Sequence, residues 1–285
     1  MAESTPRAPE RFYFKLKDAV TAGNALCGVG AVVAVIEARG AAGPAADSLL
    51  YWACLLICLS WVFDALDGVV ARLTNTFNKF GGEFDNMCDH LTYGIAPGFI
   101  VYAFYRDWMP GEGVVPMLLA FALAAWLPLT ASIRGARLAS KPIKVQGFWI
   151  GLPRPVSAFV AVCWFQTSTF VLAPDVGHWI GMALVIGLGV SNLGAFPFLS
   201  HHGHVWKPWV STVLRLVPIS LGILGVFGPI GRLVGFELLP KEWFFDLFWF
   251  LLFGYSLIQW FGIPADQWQK VRQAVRDWRD SPEPV

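Results

Sequence analysis

The sequence predicts an all-α protein that crosses a membrane several times, and three observations predict it. Of 285 residues, 56% are hydrophobic and only 14% charged, with 14 Trp and 23 Phe, which is too apolar for a soluble globule. Apolar stretches near the ~20 residues needed to cross ~30 Å of hydrocarbon recur along the chain. No alternation of roughly ten-residue barrel strands is visible, so the backbone polar groups must find their partners inside helices.

Eight stretches read as membrane helices: 19–36, 48–66, 91–105, 114–133, 156–173, 178–196, 211–231 and 243–262. The first follows a polar, slightly basic lead, "MAESTPRAPERFYFKLKDAV", which is long for a signal-peptide n-region, so helix 1 is expected to stay in the protein and residues 1–12 to be disordered. The third carries the acid pair Asp85 and Asp89. The sixth is Gly-rich with a Pro exit; its Gly181, Gly187 and Gly189 resemble close-packing spacings that are common in apolar helices. After the eighth, "DQWQKVRQAVRDWRDSPEPV" sets Trp268, Val271, Val275 and Trp278 against Lys270, Arg272, Arg276 and Arg279. This tail reads either as an amphipathic helix on an anionic leaflet or as a solvated helical end.

Charge sets the expected orientation. The net charge of +1 excludes the strongly basic footprint of a nucleic-acid binder. With both termini on one side, only Arg39, Arg106, Arg232 and Lys241 of the 21 Lys and Arg fall on the other. The positive-inside bias therefore places both termini and the acid-rich segment at the cytoplasmic face. The five cysteines lack the paired spacing of a zinc site and read as small packing residues, and "HHGH" at 201–204 reads as a polar loop.

The informative segment is "DALDGVVAR", Asp64 to Arg72, at the end of the second apolar run. On a helix Asp64 and Asp67 share a face at i, i+3, with the small Ala71 one turn on, and Asp85 and Asp89 share one at i, i+4. Two helices joined by about a dozen residues would bring the four carboxylates together. Four acids at a membrane edge repel one another and lose hydration unless a cation lies between them. Oxygen-only ligands select hard ions such as Mg²⁺ or Mn²⁺, and two such ions roughly 3.5–4 Å apart polarise a phosphoryl group. Helix-end charges pairing with Arg72 and Lys79 would explain one acid, not four at these spacings.

The string Asp64-x2-Asp67-Gly68-x2-Ala71-Arg72-x8-Gly81-x3-Asp85-x3-Asp89 resembles, without departure, the signature of the CDP-alcohol phosphotransferase family. The resemblance implies a six-helix core and two divalent metals, Mg²⁺ or Mn²⁺, held by Asp64, Asp67 and Asp85, with Asp89 counted in the metal set as well and serving as general base. It also implies that Gly68, Ala71 and Gly81 let the nucleotide of a CDP-alcohol come close, that Arg72 lies beside its phosphates, and that the protein is a homodimer. Four flanks, "DHLTYGIAPGFIVY", "RLA" at 137–139, "FWIGLPRPVSA" and "VSNLGAFPF", look like the phosphatidylserine synthase branch and extend the likeness from about 18 to about 200. The expected division is a segment 1–17, a core 18–200, two added helices in 201–263 and a tail 264–285.

The expected reaction is phosphatidyl transfer from CDP-diacylglycerol to L-serine at the inner membrane of a bacterium. Serine carries a carboxylate, and Arg134 and Arg137 at the end of the fourth helix offer the planar fork that matches one. The branch often continues Arg-Leu-Ala with Arg-Phe-Asn, whereas Arg137-Leu138-Ala139 is followed here by Ser140-Lys141-Pro142. A second arginine is missing there, which keeps inositol phosphate, glycerol phosphate and choline open as acceptors. A cation-coupled transporter would instead spread its acids through the bilayer midplane and show an internal repeat; here all four cluster at one face.

Overall fold

The computed structural model describes residues 14–76, 78–143, 145, 147–200, 212, 216, 220, 223, 234, 235 and 241–281. The expected disorder of 1–12, the "HHGH" loop and almost all of the predicted span 211–231 lie outside the described residues.

Among the described residues, five helical stretches are long and apolar enough to cross a membrane: Leu16–Gly40, Pro44–Thr74, Val115–Ser140, Arg154–Leu172 and Pro174–Leu193. They agree with five of the eight expected spans. The first is α1 and the second α2. Asp18, in the first turn of α1, accepts the Lys15 backbone N–H at 2.8 Å and so occupies one of the otherwise unpaired helix-start donors. Helix α2 starts at Pro44, whose missing N–H costs nothing in a first turn, and stops at Asn75, held in the left-handed region at φ 50°. Twenty residues of α-helix cover about 30 Å. Counted from Pro44, Asp64 and Asp67 therefore stand at the edge of the hydrocarbon and the rest of α2 projects beyond it.

Helix α3 (Lys79–Asp89) begins after Asn78, whose side chain accepts the Gly81 N–H at 2.8 Å. Because α2 runs on to Thr74, the link between the acid-bearing helices is 75–78, much shorter than the expected dozen residues. From α3 the chain passes through a π-helical segment, His90–Ile95, into α4 (Ala96–Tyr105). Pro97 has no N–H to give and its ring would crowd the carbonyl four residues back; the wider turn ahead of it relieves both. The third expected span is thus helical but irregular.

Helix α5 (Val115–Ser140) packs on α4, where Gly98 lies so close that a Cβ there would stand 2.9 Å from the Ala124 carbonyl. The fifth span is two pieces, α6 (Arg154–Trp164) and α7 (Ser168–Leu172), and α8 (Pro174–Leu193) is the sixth. A two-stranded antiparallel ribbon pairs β1 (Phe148–Ile150) with β2 (Pro197–Leu199) beyond the ends of α5 and α8. Helix α9 (Lys241–Gly262) coincides with the eighth expected span and packs on α6. All five cysteines are buried and free, as packing residues would be. At the opposite end from the aspartates, Arg39 binds Asp107 at 2.5 Å, and that hydrogen bond holds the Asp107 carboxyl below its ordinary range.

The tail corrects both expectations for it. Helix α10 (Ala265–Asp280) buries Val271 and Val275 against Phe148, Ile150, Leu199 and Ile263, in a small core separate from the main one. Fully burying a valine is worth about 1.5–3 kcal/mol, so this apolar stripe is committed to the protein and not to lipid or water. Its basic residues face outward.

Candidate functional site

Asp64, Asp67 and Asp85 each place a carboxylate oxygen within 4.8 Å of the others. The helical spacing brought the first two onto one face of α2, and α3 brings Asp85 to them. Asp89 is not in this trio. Its Oδ1 accepts a 2.9 Å hydrogen bond from the Asn24 amide of α1.

Helix α1 supplies a polar wall that sequence reading missed. Thr21 donates to Asp67 Oδ2 at 2.6 Å, Lys17 pairs with Asp18 at 2.6 Å, and Thr92 of the π segment donates to the Asn24 carbonyl at 3.0 Å. Asp18 and Asn24 are fully buried and Thr21 nearly so. Lys17, Thr21, Asn24 and Gly28 fall on one helical stripe, and Gly28 lets Thr92 come within 2.5 Å of where a Cβ would stand. Three polar residues at that period in an apolar helix were the available signal.

Arg154, at the start of α6, is a further residue that sequence reading missed. Its Nη2 donates to Asn86 Oδ1 at 2.5 Å, and its charge acts on both Asp85 and Asp89. Burial pushes the Asp85 carboxyl up to about 6, with Asp67 adding to the rise and Lys17 and Arg154 opposing it. Asp89 moves in the same direction, through burial and then Asp85.

The other sequence-predicted residues are distributed around this centre. Gly68 is uncrowded, its would-be Cβ meeting the Arg72 guanidinium at 3.6 Å (Nη1) and 3.9 Å (Nη2), so Arg72 folds back along α2 beside it. Ala71 is buried. Gly81 makes room for Lys17, whose Nζ would stand 1.8 Å from a Cβ there. Arg134 is 6% exposed, and its Nη2 donates to the carbonyls of Ile150 and Gly151 at 3.4 and 3.3 Å. Arg137 Nη1 donates to the Leu193 carbonyl at 2.7 Å, while Nε and Nη2 are buried with no hydrogen-bond partner among the described residues.

Fold and site together define a multi-pass helical membrane protein with an oxygen-only, acid-rich centre at one end of its bundle. The family model for CDP-alcohol phosphatidyltransferase matches residues 14–190, and the chain belongs to that family. It is similar to the CDP-diacylglycerol–serine O-phosphatidyltransferase of Helicobacter pylori, 38% identical over 144 residues, which are 48% of this chain and 56% of the relative. The protein of the same name from Methanocaldococcus jannaschii is 35% identical over 164 residues, 58% of this chain and 73% of the relative. That from Mycobacterium bovis is 21% identical over 233 residues, 80% and 73%. The chain spans about half the length of the Helicobacter pylori relatives it matches, 56% and 44%.

The family uses divalent cations, and the residues present fit them. Asp85 Oδ1 is buried with no hydrogen-bond donor among the described residues, and Asp67 beside it is an acceptor like itself. Three carboxylates and such an orphaned oxygen make a donor set for a hard cation.

Proposed function

We propose that the chain transfers the phosphatidyl group of CDP-diacylglycerol to the hydroxyl of L-serine, giving phosphatidylserine and CMP. The observation that carries this reading is that three acids, Asp64, Asp67 and Asp85, bring carboxylate oxygens within 4.8 Å of one another while the fourth, Asp89, is engaged by the Asn24 amide. The names of the relatives support the choice of both substrates.

In this reading the trio holds Mg²⁺ or Mn²⁺, which when bound neutralises charge on the diphosphate of the CDP-lipid. Gly68 and Ala71 leave room for the nucleotide, and Arg72 lies beside its phosphates. Asp89 accepts the proton of the serine hydroxyl as the new O–P bond forms and the bond from phosphorus to the CMP oxygen breaks. Asn24 occupies one oxygen of Asp89 and fixes its direction. Thr21 does the same for Asp67. The unpaired Nε and Nη2 of Arg137 form the side of a guanidinium that takes a carboxylate bidentately, and Arg134 lines the same end of α5. Arg154 adds positive charge between the acids and this end. The site and both termini face the cytoplasm, and the core comprises 18–200 of a homodimer.

The test is purified protein with CDP-diacylglycerol and a panel of labelled alcohols, with Mg²⁺, Mn²⁺ or a chelator. Serine-dependent release of CMP that the chelator abolishes is the expected result. Preference for inositol phosphate, glycerol phosphate or choline overturns the acceptor, and turnover unaffected by the chelator overturns the metal.

A further inference from the structure

The ends of α5 and α10 cap each other. The Trp278 indole N–H donates to the Lys141 carbonyl at 2.9 Å, just past the end of α5. In return the Lys141 ammonium donates to the carbonyls of Arg279 and Ser281 at the end of α10. Each helix thus satisfies orphaned carbonyl groups of the other, and a cation sits at the negative end of a helix dipole. The Trp278 ring also lies under two cations, 5.2 Å from Lys141 Nζ and 5.9 Å from Arg137 Cζ.

Arg137 is therefore held on two sides, by the Leu193 carbonyl at Nη1 and by the face of Trp278. Among the described residues, its Nε and Nη2 are left without a partner. The small core under α10 reaches further. It fixes β1, and the Ile150 and Gly151 carbonyls at the end of β1 are the ones that hold Arg134. A lone flexible arginine at a helix end would lose side-chain entropy on binding a carboxylate; one already clamped loses less.

We propose that the C-terminal helix is part of the acceptor site, with Trp278 a positioning residue that presents the Nε and Nη2 of Arg137 to the carboxylate of the acceptor. This rests on the reading of Arg137 as the residue that binds the acceptor. The tail carries none of the acids of the motif, so its contribution falls on the acceptor and not on the CDP-lipid.

The experiment is steady-state kinetics of the full chain in lipid nanodiscs, with serine and CDP-diacylglycerol varied separately, for wild type, Trp278→Ala, Trp278→Phe and Arg137→Lys. Trp278→Ala is expected to raise the KM for serine about tenfold, with kcat and the KM for CDP-diacylglycerol within about twofold. Trp278→Phe keeps a ring face under the guanidinium, loses the indole donor, and should lie between, at about threefold. An unchanged serine KM in Trp278→Ala while Arg137→Lys raises it overturns the positioning role. An unchanged serine KM in Arg137→Lys overturns the acceptor assignment and the proposal with it. Equal rises in both substrates' KM assign Trp278 to general stability and overturn the proposal. If Trp278→Ala yields no folded protein, Trp278→Phe decides alone: a serine KM equal to wild type overturns the role.

Discussion

Asn24, buried in the middle of a polar stripe on α1, donates its amide to Asp89 across 2.9 Å and fixes the direction of that carboxylate. Replacing it with Ala leaves a half-buried carboxylate without its oriented donor. Asn24→Ala is expected to lower kcat by roughly ten- to a hundredfold, the loss of a hydrogen bond to a charged group, with little change in the KM for CDP-diacylglycerol. Steady-state kinetics at saturating serine checks it, and a kcat within twofold of wild type would count against Asp89 as the base.

The trio and Asp89 should separate in binding experiments. Asp67→Asn removes an anionic ligand from the trio and is expected to abolish Mg²⁺-dependent binding of a CDP-lipid as well as turnover. Asp89→Asn should keep that binding within about tenfold while lowering turnover by at least about a hundredfold. Calorimetry with a non-reactive CDP-lipid analogue measures the first quantity. Equal loss of binding in both variants would make Asp89 a metal ligand of the same rank.

Protons and metal compete for the trio. Asp85 must be ionised to act as a ligand, and burial beside Asp67 raises its carboxyl to about 6. A raised value means that the proton is held to higher pH, so metal affinity weakens as pH falls through that value. Titration of Mn²⁺ into the protein at several pH values should show apparent affinity near its plateau at pH 8 and falling about tenfold per pH unit once below about 6. Affinity flat between pH 5 and 8 would remove Asp85 from the ligand set.

Two adjacent glycines of α3 should respond oppositely to the same substitution. A methyl at Gly81 meets Lys17 Nζ and Cε and the Asn78 Oδ1 that caps the helix, with Lys17 buried and paired with Asp18, whereas a methyl at Gly82 meets nothing within 4 Å. Gly81→Ala is expected to cost about 1–3 kcal/mol and Gly82→Ala to be neutral or to gain up to about 1 kcal/mol. Thermal unfolding in detergent distinguishes them, and equal midpoints would mean that Lys17 does not pass over Gly81.

How much of this was readable beforehand differs from residue to residue. The acids were legible because their spacing has one helical meaning and the charges they carry have few other uses at a membrane edge. Thr21 and Asn24 were not singled out, since one polar side chain per turn in an apolar helix declares itself only when the neighbour it faces is known. Arg154 was counted as a topological charge; its link to Asn86 joins residues 68 positions apart. The tail's amphipathic pattern is the same whether its apolar stripe meets lipid, water or β1, so only packing decided it. The helix boundaries of α2 and α3 were drawn too short because polar turns at the bilayer edge read as loop.

The π-helical turn at His90–Ile95 acts as a phase shifter. One surplus residue rotates everything that follows by about 100°, so the orientation of Asp85 and Asp89 toward α1 and α2 is set independently of which side of α4 meets α5. A straight α-helix would tie those two choices together: any substitution that improved the packing of one half would twist the chemistry of the other. With the offset in place, the lipid-embedded half can drift in sequence with its own neighbours while the acids keep their bearing.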